Sequence, residues 1–304
     1  MAKWPKLTWD TEPTGPLKGI KVVDMATVVL GPYATVQLAD LGAEVIKIEN
    51  SEGNTPGDMM RHGGDSPTKQ HGPIFTALNR NKKAINLNIK KPEDKAVLEA
   101  LLEEADVFIH NVRMAGVERL GFGYEAVKAI NPNIIYVHCA GFGAGGVYGE
   151  RQAYDDLIQA ASGFAALSEQ RDGGRPTYSP SLVADKVSGL FAANATMAAL
   201  LGRAGGQGGQ FVQVPMFECF TGSTWSKICG AKPSSPVMDA WAIHARSTRV
   251  GGRIRLRIAS LPSSRIMTGN GPHSLNWAGG RMSSMTRAFP LIKNAPSIPA
   301  NYMR

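Results

Sequence analysis

Apolar and polar positions in the first two thirds of the chain alternate between two periods. Short β-branched runs at 20–25 (IKVVDM), 44–49 (EVIKIE), 84–89 (AINLNI), 106–110 (DVFIH) and 134–139 (IIYVHC) are bounded by Gly, Asn or Pro and predict buried strands. Helical periods lie between them. Residues 32–41 place Ala34, Leu38 and Leu41 on one face, 92–104 form a charged amphipathic helix opened by Pro92, and 124–130 form a shorter one. Strand, helix and strand at this spacing make βαβ units. The expected fold is α/β, a Rossmann-like, mostly parallel sheet with flanking helices. From Tyr154 the pattern turns helical: a helix over 154–167, an irregular stretch with Gly and Pro over 171–181, and a long apolar helix over 186–203. A Gly/Gln turn at 205–210, a strand at 211–214 and a further helix from Pro215 toward Trp225 complete this part.

Beyond about Trp225 the periods fade. Residues 226–304 have no glutamate, eleven serines and scattered Arg, Pro and Gly, with a short alternation at 253–258 (RIRLRI). With little apolar face to bury, such a segment is expected not to fold alone. Three parts follow: an N-terminal extension at 1–16, a domain at 17–225 and a basic tail at 226–304. The tail reads equally as a divergent interaction segment or as the product of a reading-frame shift.

Charge sharpens that division. The whole chain has 33 Lys+Arg against 25 Asp+Glu, a formal +8. Residues 1–225 hold 21 bases and 24 acids, a net of −3, and residues 226–304 hold 12 bases and the single acid Asp239, a net of +11. The basicity belongs to the tail, which weakens a nucleic-acid reading of the whole. No run approaches the ~20 apolar residues of a membrane span, and the opening MAKWPKLTWD has no signal-peptide core, so a cytoplasmic protein is expected. Three widely spaced cysteines, Cys139, Cys219 and Cys229, make no disulfide framework.

Several chemistries are disfavoured by their missing motifs. The turn after the first strand is ATVVLGP, with one glycine where a dinucleotide fingerprint needs three. There is no P-loop and no G-x-S-x-G elbow, and the six histidines show no ligand spacing, so no metal centre is expected. The run GFGAGGVYG at 141–149 reads as a loop before it reads as an anion cradle. The cluster RNKK at 80–83 with Lys90 and Lys91 reads as a solvated face or as a phosphate clamp. Arg119 lies beyond a strand end, where parallel sheets bind ligands. Asp155 and Asp156 are adjacent on a helix and point apart. Asp185, in SLVADKVSG ahead of the long apolar helix, is a natural N-cap. A carboxylate kept ionised there by the helix dipole would also be available as a nucleophile.

Seven segments in order resemble the class III CoA-transferases, the CaiB/BaiF group that contains formyl-CoA and carnitine CoA-transferases and α-methylacyl-CoA racemases. They are GIKVVDMATVVLGPYATVQLADLGAEVIKIE (19–49), LNRNKKAINLNIKKPE (78–93), ADVFIHNVRMAGVERLGF (105–122), NPNIIYVHCAGFG (131–143), YDDLIQAASG (154–163), LVADKVSG (182–189) and GGQFVQVPMFE (208–218). The resemblance implies the large domain of that fold, with the small domain absent or altered. It implies that Asp185 is the nucleophile and that Val28, Leu87, Lys90, Asn111 and Arg119 bind CoA, with Lys90 and Arg119 at its phosphates. It places Tyr154 and Asp155 near the acyl group. The implied reaction moves CoA from an acyl-CoA to a carboxylic acid through an aspartyl anhydride and an aspartyl-CoA thioester. No prosthetic group is implied, CoA thioester being the substrate; no nucleic-acid or membrane partner is implied. Family members form an interlocked homodimer, and the parts that thread it are not recognisable in 226–304. The alternatives are an acyl-CoA racemase and a CoA-binding relative without turnover. Racemases carry a histidine where this chain has Tyr154, whose reference pKa near ~10 makes it a poor base at neutral pH.

Overall fold

The computed structural model describes residues 14–52, 56–65, 70–172, 174–228 and 253–255. The remaining residues, including most of 226–304 and nearly all of the expected N-terminal extension, lie outside the described set.

The strands are β1 (Lys21–Met25), β2 (Glu44–Asn50), β3 (Lys82–Leu87), β4 (Val107–His110), β5 (Ile135–Ala140), β6 (Gln210–Pro215) and β7 (Arg253–Arg255). They form one sheet in the order β3-β2-β1-β4-β5-β6-β7, and every neighbouring pair is parallel. Alternate residues feed two cores, because helices cover both faces. On one face Val22, Val45, Ile109, Val137 and Val212 pack with α1 (Leu30–Asp40) and α8 (Val183–Gly202). On the other, Val23, Phe108 and Tyr136 pack with α3 (Pro92–Glu104) and α5 (Tyr124–Ile130). This is why the central strands read as continuous apolar runs rather than as half-polar alternation.

The other helices are α2 (Pro73–Leu78), α4 (Met114–Arg119), α6 (Asp155–Ala161), α7 (Ala166–Asp172) and α9 (Met216–Ile228). The expected helix over 154–167 is two helices. Gly163 takes φ +80, a conformation glycine adopts without strain, and the Ala165 N–H turns back to Gln159 O at 3.1 Å. The strand expected at 84–89 starts and ends two residues earlier. Its end is set by Asn88, whose N–H donates to Asp94 at 2.7 Å, and by the turn Lys91 N–H to Asn88 O at 2.8 Å. The boundary expected near Trp225 falls inside α9, and the alternation at 253–258 contributes β7, paired to β6 from Phe211↔Arg253. No helix among the described residues is long and apolar enough to cross a membrane.

Candidate active site

The strand order reverses between β1 and β4, and in open parallel sheets the crevice beyond the strand ends at that reversal is where ligands bind. Residues 26–29 leave β1 into this crevice. Val28 has φ +71, an outlier for a β-branched residue that costs on the order of 1–3 kcal/mol and persists only when its surroundings impose it. They do. The Ala26 N–H donates to Asp24 at 2.9 Å, and Ala26 O accepts from Lys47 Nζ at 2.7 Å. Thr27 is held from both sides by the Asn111 amide, N–H to Oδ1 at 3.0 Å and Nδ2 to Thr27 O at 2.8 Å. The Val28 N–H donates to both carboxylate oxygens of Asp58, at 3.3 and 3.2 Å.

Two of the expected CoA positions, Val28 and Asn111, thus meet in one loop, although the Asn111 amide is occupied by Thr27. Leu87 ends β3 and is buried; Lys90 follows it on the surface, with Nζ 3.2 Å from Glu52. Arg119 ends α4 and is exposed. Leu87 and Lys90 come at and after the C-terminal end of β3, Asn111 follows that of β4, and Arg119 closes the helix after β4.

The basic cluster does not survive as one patch. Arg80 pairs with Asp40, Lys83 with Glu44 at 2.6 Å, and Lys82 with Asp24 at 3.1 Å. The Lys82 side chain is buried, and burial pulls its pKa down to about 8 against the attraction of Asp24. Burial would push the Asp24 carboxyl up, but Lys82, Lys47, the Thr35 hydroxyl and the Ala26 N–H together hold it below the usual carboxylate range. The glycine run at 141–149 is likewise committed internally: the Gly143 N–H donates to Glu218 at 2.9 Å, that of Ala144 to Gln213 at 3.3 Å, and that of Gly149 to Gly146 O at 3.0 Å.

Asp185 is not an N-cap. Leu182 occupies that position, without a side-chain cap bond, and Asp185 is the third residue of α8. Its carboxylate instead lies near the backbone of Leu30, the first residue of α1, which draws its pKa down. Gly189 makes this approach close: a Cβ there would lie 2.8 Å from Leu30 O. The Asp185 N–H donates to Asp155 at 2.9 Å, and the other Asp155 oxygen accepts from Gln159, whose Oε1 takes the Ser179 N–H at 2.8 Å. Asp155 is buried and Asp156 exposed, so the adjacent carboxylates do point apart. Asp185 is itself only 9% exposed. Burial first, and the Asp155 charge second, push its pKa up to about 7, while the Leu30 N–H pulls the other way. The dipole therefore does not keep this carboxylate fully ionised at neutral pH; burial outweighs it. Tyr154, the N-cap of α6, is 59% exposed beside this pair of carboxylates.

Two open surface depressions, about 440 Å³ against α3 and about 350 Å³ beside α4 and α5, are not lined by Asp185. The chemistry of the strand-end crevice outweighs their size.

Sequence reasoning passed over Lys47, Glu49, Asp58 and Arg61. Lys47 and Asp58 are fully buried and 3.1 Å apart. Glu49 takes both Arg61 Nε at 2.7 Å and Nη2 at 2.5 Å, and accepts the Asp58 N–H at 2.9 Å. The available signal was the charge in EVIKIE, where Lys47 and Glu49 interrupt a run that must be buried on both faces.

Comparison with known proteins agrees with this fold. The chain matches CoA-transferase family III over residues 17–238. It is 39% identical over 212 residues to an acyl-CoA transferase of Fusarium pseudograminearum (strain CS3096), covering 67% of this chain and 46% of that protein. It is 35% identical over 209 residues to a succinate–glutarate CoA-transferase of Agrobacterium fabrum (strain C58 / ATCC 33970), covering 67% of this chain and 51% of that one. Among solved structures, a CaiB/BaiF family protein from Brucella suis superposes with a TM-score of 0.65 at 35% identity, over 72% of this chain and 59% of that one. The chain spans about half the length of these two sequence relatives. With a family match over most of its length and the sheet, crevice and buried Asp185 in place, the chain belongs to CoA-transferase family III.

Proposed function

We propose that the protein transfers CoA from an acyl-CoA thioester to a carboxylic acid, with Asp185 as nucleophile. One observation carries this reading: a buried aspartate of raised pKa, fixed through its own N–H by Asp155, faces the N-terminus of α1 next to the strand-end crevice. A desolvated carboxylate is a stronger nucleophile than a hydrated one, and burial keeps water from the activated carbonyls that follow.

An Asp185 oxygen attacks the donor thioester carbonyl. The tetrahedral oxyanion collapses, the C–S bond breaks, and CoA thiolate leaves a mixed anhydride. The thiolate attacks the Asp185 side of that anhydride, giving an aspartyl-CoA thioester and the free donor carboxylate. The acceptor carboxylate attacks this thioester and expels the thiolate. The thiolate then attacks the acceptor carbonyl, forming the new acyl-CoA and restoring Asp185. Backbone N–H groups at the start of α1 are suited to stabilise the oxyanions.

Val28, Leu87 and Asn111 line the path assigned to CoA, and Lys90 and Arg119 carry its phosphates. Tyr154 and Asp155 border the acyl group. The acids named for the Agrobacterium relative are dicarboxylates, so a dicarboxylate is the first acceptor to test. A second copy of the chain belongs to the reading. Leu190 and Leu201 are 44% and 75% exposed on α8, whose sequence has no charge between Lys186 and Arg203, and this apolar face supports a homodimer.

The test mixes the protein with an acyl-CoA and a labelled carboxylic acid, then adds hydroxylamine. CoA exchange, with a hydroxamate located at Asp185 by mass spectrometry, supports the reading. Absence of exchange, or exchange undiminished in Asp185→Ala, overturns it.

A further inference from the structure

Gln159 of α6 is completely buried, and two backbone neighbours fix which way its amide points. The Ser179 N–H, 2.8 Å away, can only donate and so faces Oε1. Ser181 O, at 3.4 Å, can only accept and so faces Nε2. The remaining N–H of Nε2 is thereby aimed at Asp155 Oδ1. The other oxygen of that carboxylate, Oδ2, takes the Asp185 N–H at 2.9 Å. Asp155, itself buried, therefore meets an N–H on each oxygen, one from an amide and one from the backbone, and neither donor titrates. Such bonds favour the charged form of a carboxylate, and a proton on either oxygen would compete with one of them.

We infer that Gln159 assigns the proton of the Asp155–Asp185 pair: by donating to Asp155 Oδ1 it keeps Asp155 the charged member and leaves the proton to Asp185. Gln159 acts only through Asp155 and is a positioning residue. Its side chain also ties the segment ahead of α8 to α6, and its own carbonyl takes the Ala165 N–H at 3.1 Å, so both carboxylates sit in one frame. The raised pKa of Asp185, with the Asp155 charge as its second cause, is the same assignment seen from the other carboxyl. The inference rests on Asp185 being the nucleophile of the proposed transfer, yet the placement of the proton is measurable without turnover.

The neighbouring titratable groups are otherwise engaged or exposed. Asp156 of α6 is exposed and senses Asp155. Burial pushes the Cys139 thiol of β5 far up and the Cys219 thiol of α9 up to about 12, so both stay neutral. Glu218 of α9 accepts the Gly143 N–H, and Lys186, the one base of α8, reaches Ser181 Oγ at 3.0 Å. On α1, Tyr33 lies against Gly189, and Asp40 at the far end pairs with Arg80.

The experiment is a carbon-13 carboxyl NMR titration of the full chain, with the two signals identified by their loss in Asp155→Asn and Asp185→Asn and the pH profile of CoA exchange measured alongside. Gln159→Met keeps the bulk of the side chain and removes the donor. Asp155 then competes for the proton, and the Asp185 midpoint is expected to fall by about half a unit. In an Asp155→Asn background the same substitution should leave the midpoint in place, because the route through Asp155 is gone. A loss of packing alone would act equally in both backgrounds. A midpoint that stays or rises in Gln159→Met, or an equal fall in both backgrounds, overturns the inference. Because Gln159→Met also strips the Ser179 N–H of its partner and can impair folding, the parent protein gives a second reading. Just below the Asp185 midpoint its Asp155 carbon should have the shift of a carboxylate and its Asp185 carbon that of a carboxylic acid; the reverse overturns the inference. The expected shifts in a protein without CoA exchange uphold the proton assignment and sink the transferase reading. Exchange that Asp185→Ala abolishes, with the Gln159→Met shift absent, does the opposite.

Discussion

The backbone N–H of Asp185 donates to the carboxylate of Asp155 across 2.9 Å, although thirty residues separate them. The bond fixes the first turn of α8 against α6, and it also brings a second negative charge beside a buried carboxylate. One contact therefore positions the nucleophile and makes it harder to ionise.

The pH dependence of CoA exchange follows from that contact. With the Asp185 pKa pushed up to about 7 by burial and then by Asp155, exchange is expected to rise as pH passes through that value, since only the ionised form attacks. Asp155→Asn removes the neighbouring charge and keeps an acceptor for the Asp185 N–H. The rising limb of kcat/KM should move to lower pH by about one unit. A limb that does not move would show that burial alone sets the value.

The same raised pKa has a stability sign. The folded protein holds the Asp185 proton more tightly than the unfolded chain, whose carboxyl has the ordinary aspartate value of 3.8. Folding is thus favoured most below the unfolded value, and that stabilisation is lost as pH rises through about 7. Asp185→Asn avoids the cost of a buried charge. It should raise the unfolding free energy at pH 8 by roughly 2–4 kcal/mol, and by much less at pH 4. Urea denaturation at the two values checks it; equal changes at both would refute the linkage.

How far these relations were legible in the sequence depends on whether they are local. The apolar runs of β1, β4 and β5 announced themselves because burial on both faces demands β-branched residues at consecutive positions. The break between α6 and α7 was hidden, because the residues around Gly163 read as a continuous helix and only Gly163 itself, at φ +80 with Ala165 N–H turning back to Gln159 O, makes the turn. Asp185 was visible as a carboxylate ahead of an apolar helix, yet its surroundings were not: its N–H bonds Asp155 of α6 and its carboxylate lies near the start of α1, relations that no spacing within α8 can encode. The basic cluster misled for a similar reason. The acids that neutralise Arg80, Lys82 and Lys83 lie about 40 to 58 positions away, brought back by strand pairing. The imposed turn at Val28 was the least legible, since valine is the residue least suggestive of positive φ.

Lys90 offers a test of the phosphate assignment. Its Nζ is 3.2 Å from Glu52, with side chains 72% and 45% exposed, so the ion pair contributes little and a phosphate can displace it. Lys90→Ala is expected to raise the KM for acyl-CoA by roughly 2- to 5-fold with kcat unchanged, which is the mark of uniform binding. The difference from the parent should shrink at high salt. A change in kcat instead would place Lys90 in the chemistry.

Gly189 is where packing and chemistry meet. An added Cβ would come within 2.8 Å of Leu30 O and 2.9 Å of Tyr33 Cδ1, closer than real Cβ contacts allow. Within α8 alone, Gly189→Ala would help, since alanine gains ~1 kcal/mol over glycine in a helix interior. Against α1 it overpacks, typically at a cost of about 1–3 kcal/mol. The carbonyl it strikes is backbone and cannot rotate away, so α1 must shift outward. The net expectation is a modest loss of stability with a larger loss of kcat, because the displaced residue lies against the first turns of α8 that carry Asp185. The limb of the pH profile should also move upward, as the Asp185 carboxylate loses the nearby Leu30 backbone that draws its pKa down. Unfolding and pH–rate measurements on the same variant separate the two effects. If stability falls while kcat and the pH limb are retained, the contact between α1 and α8 is structural only.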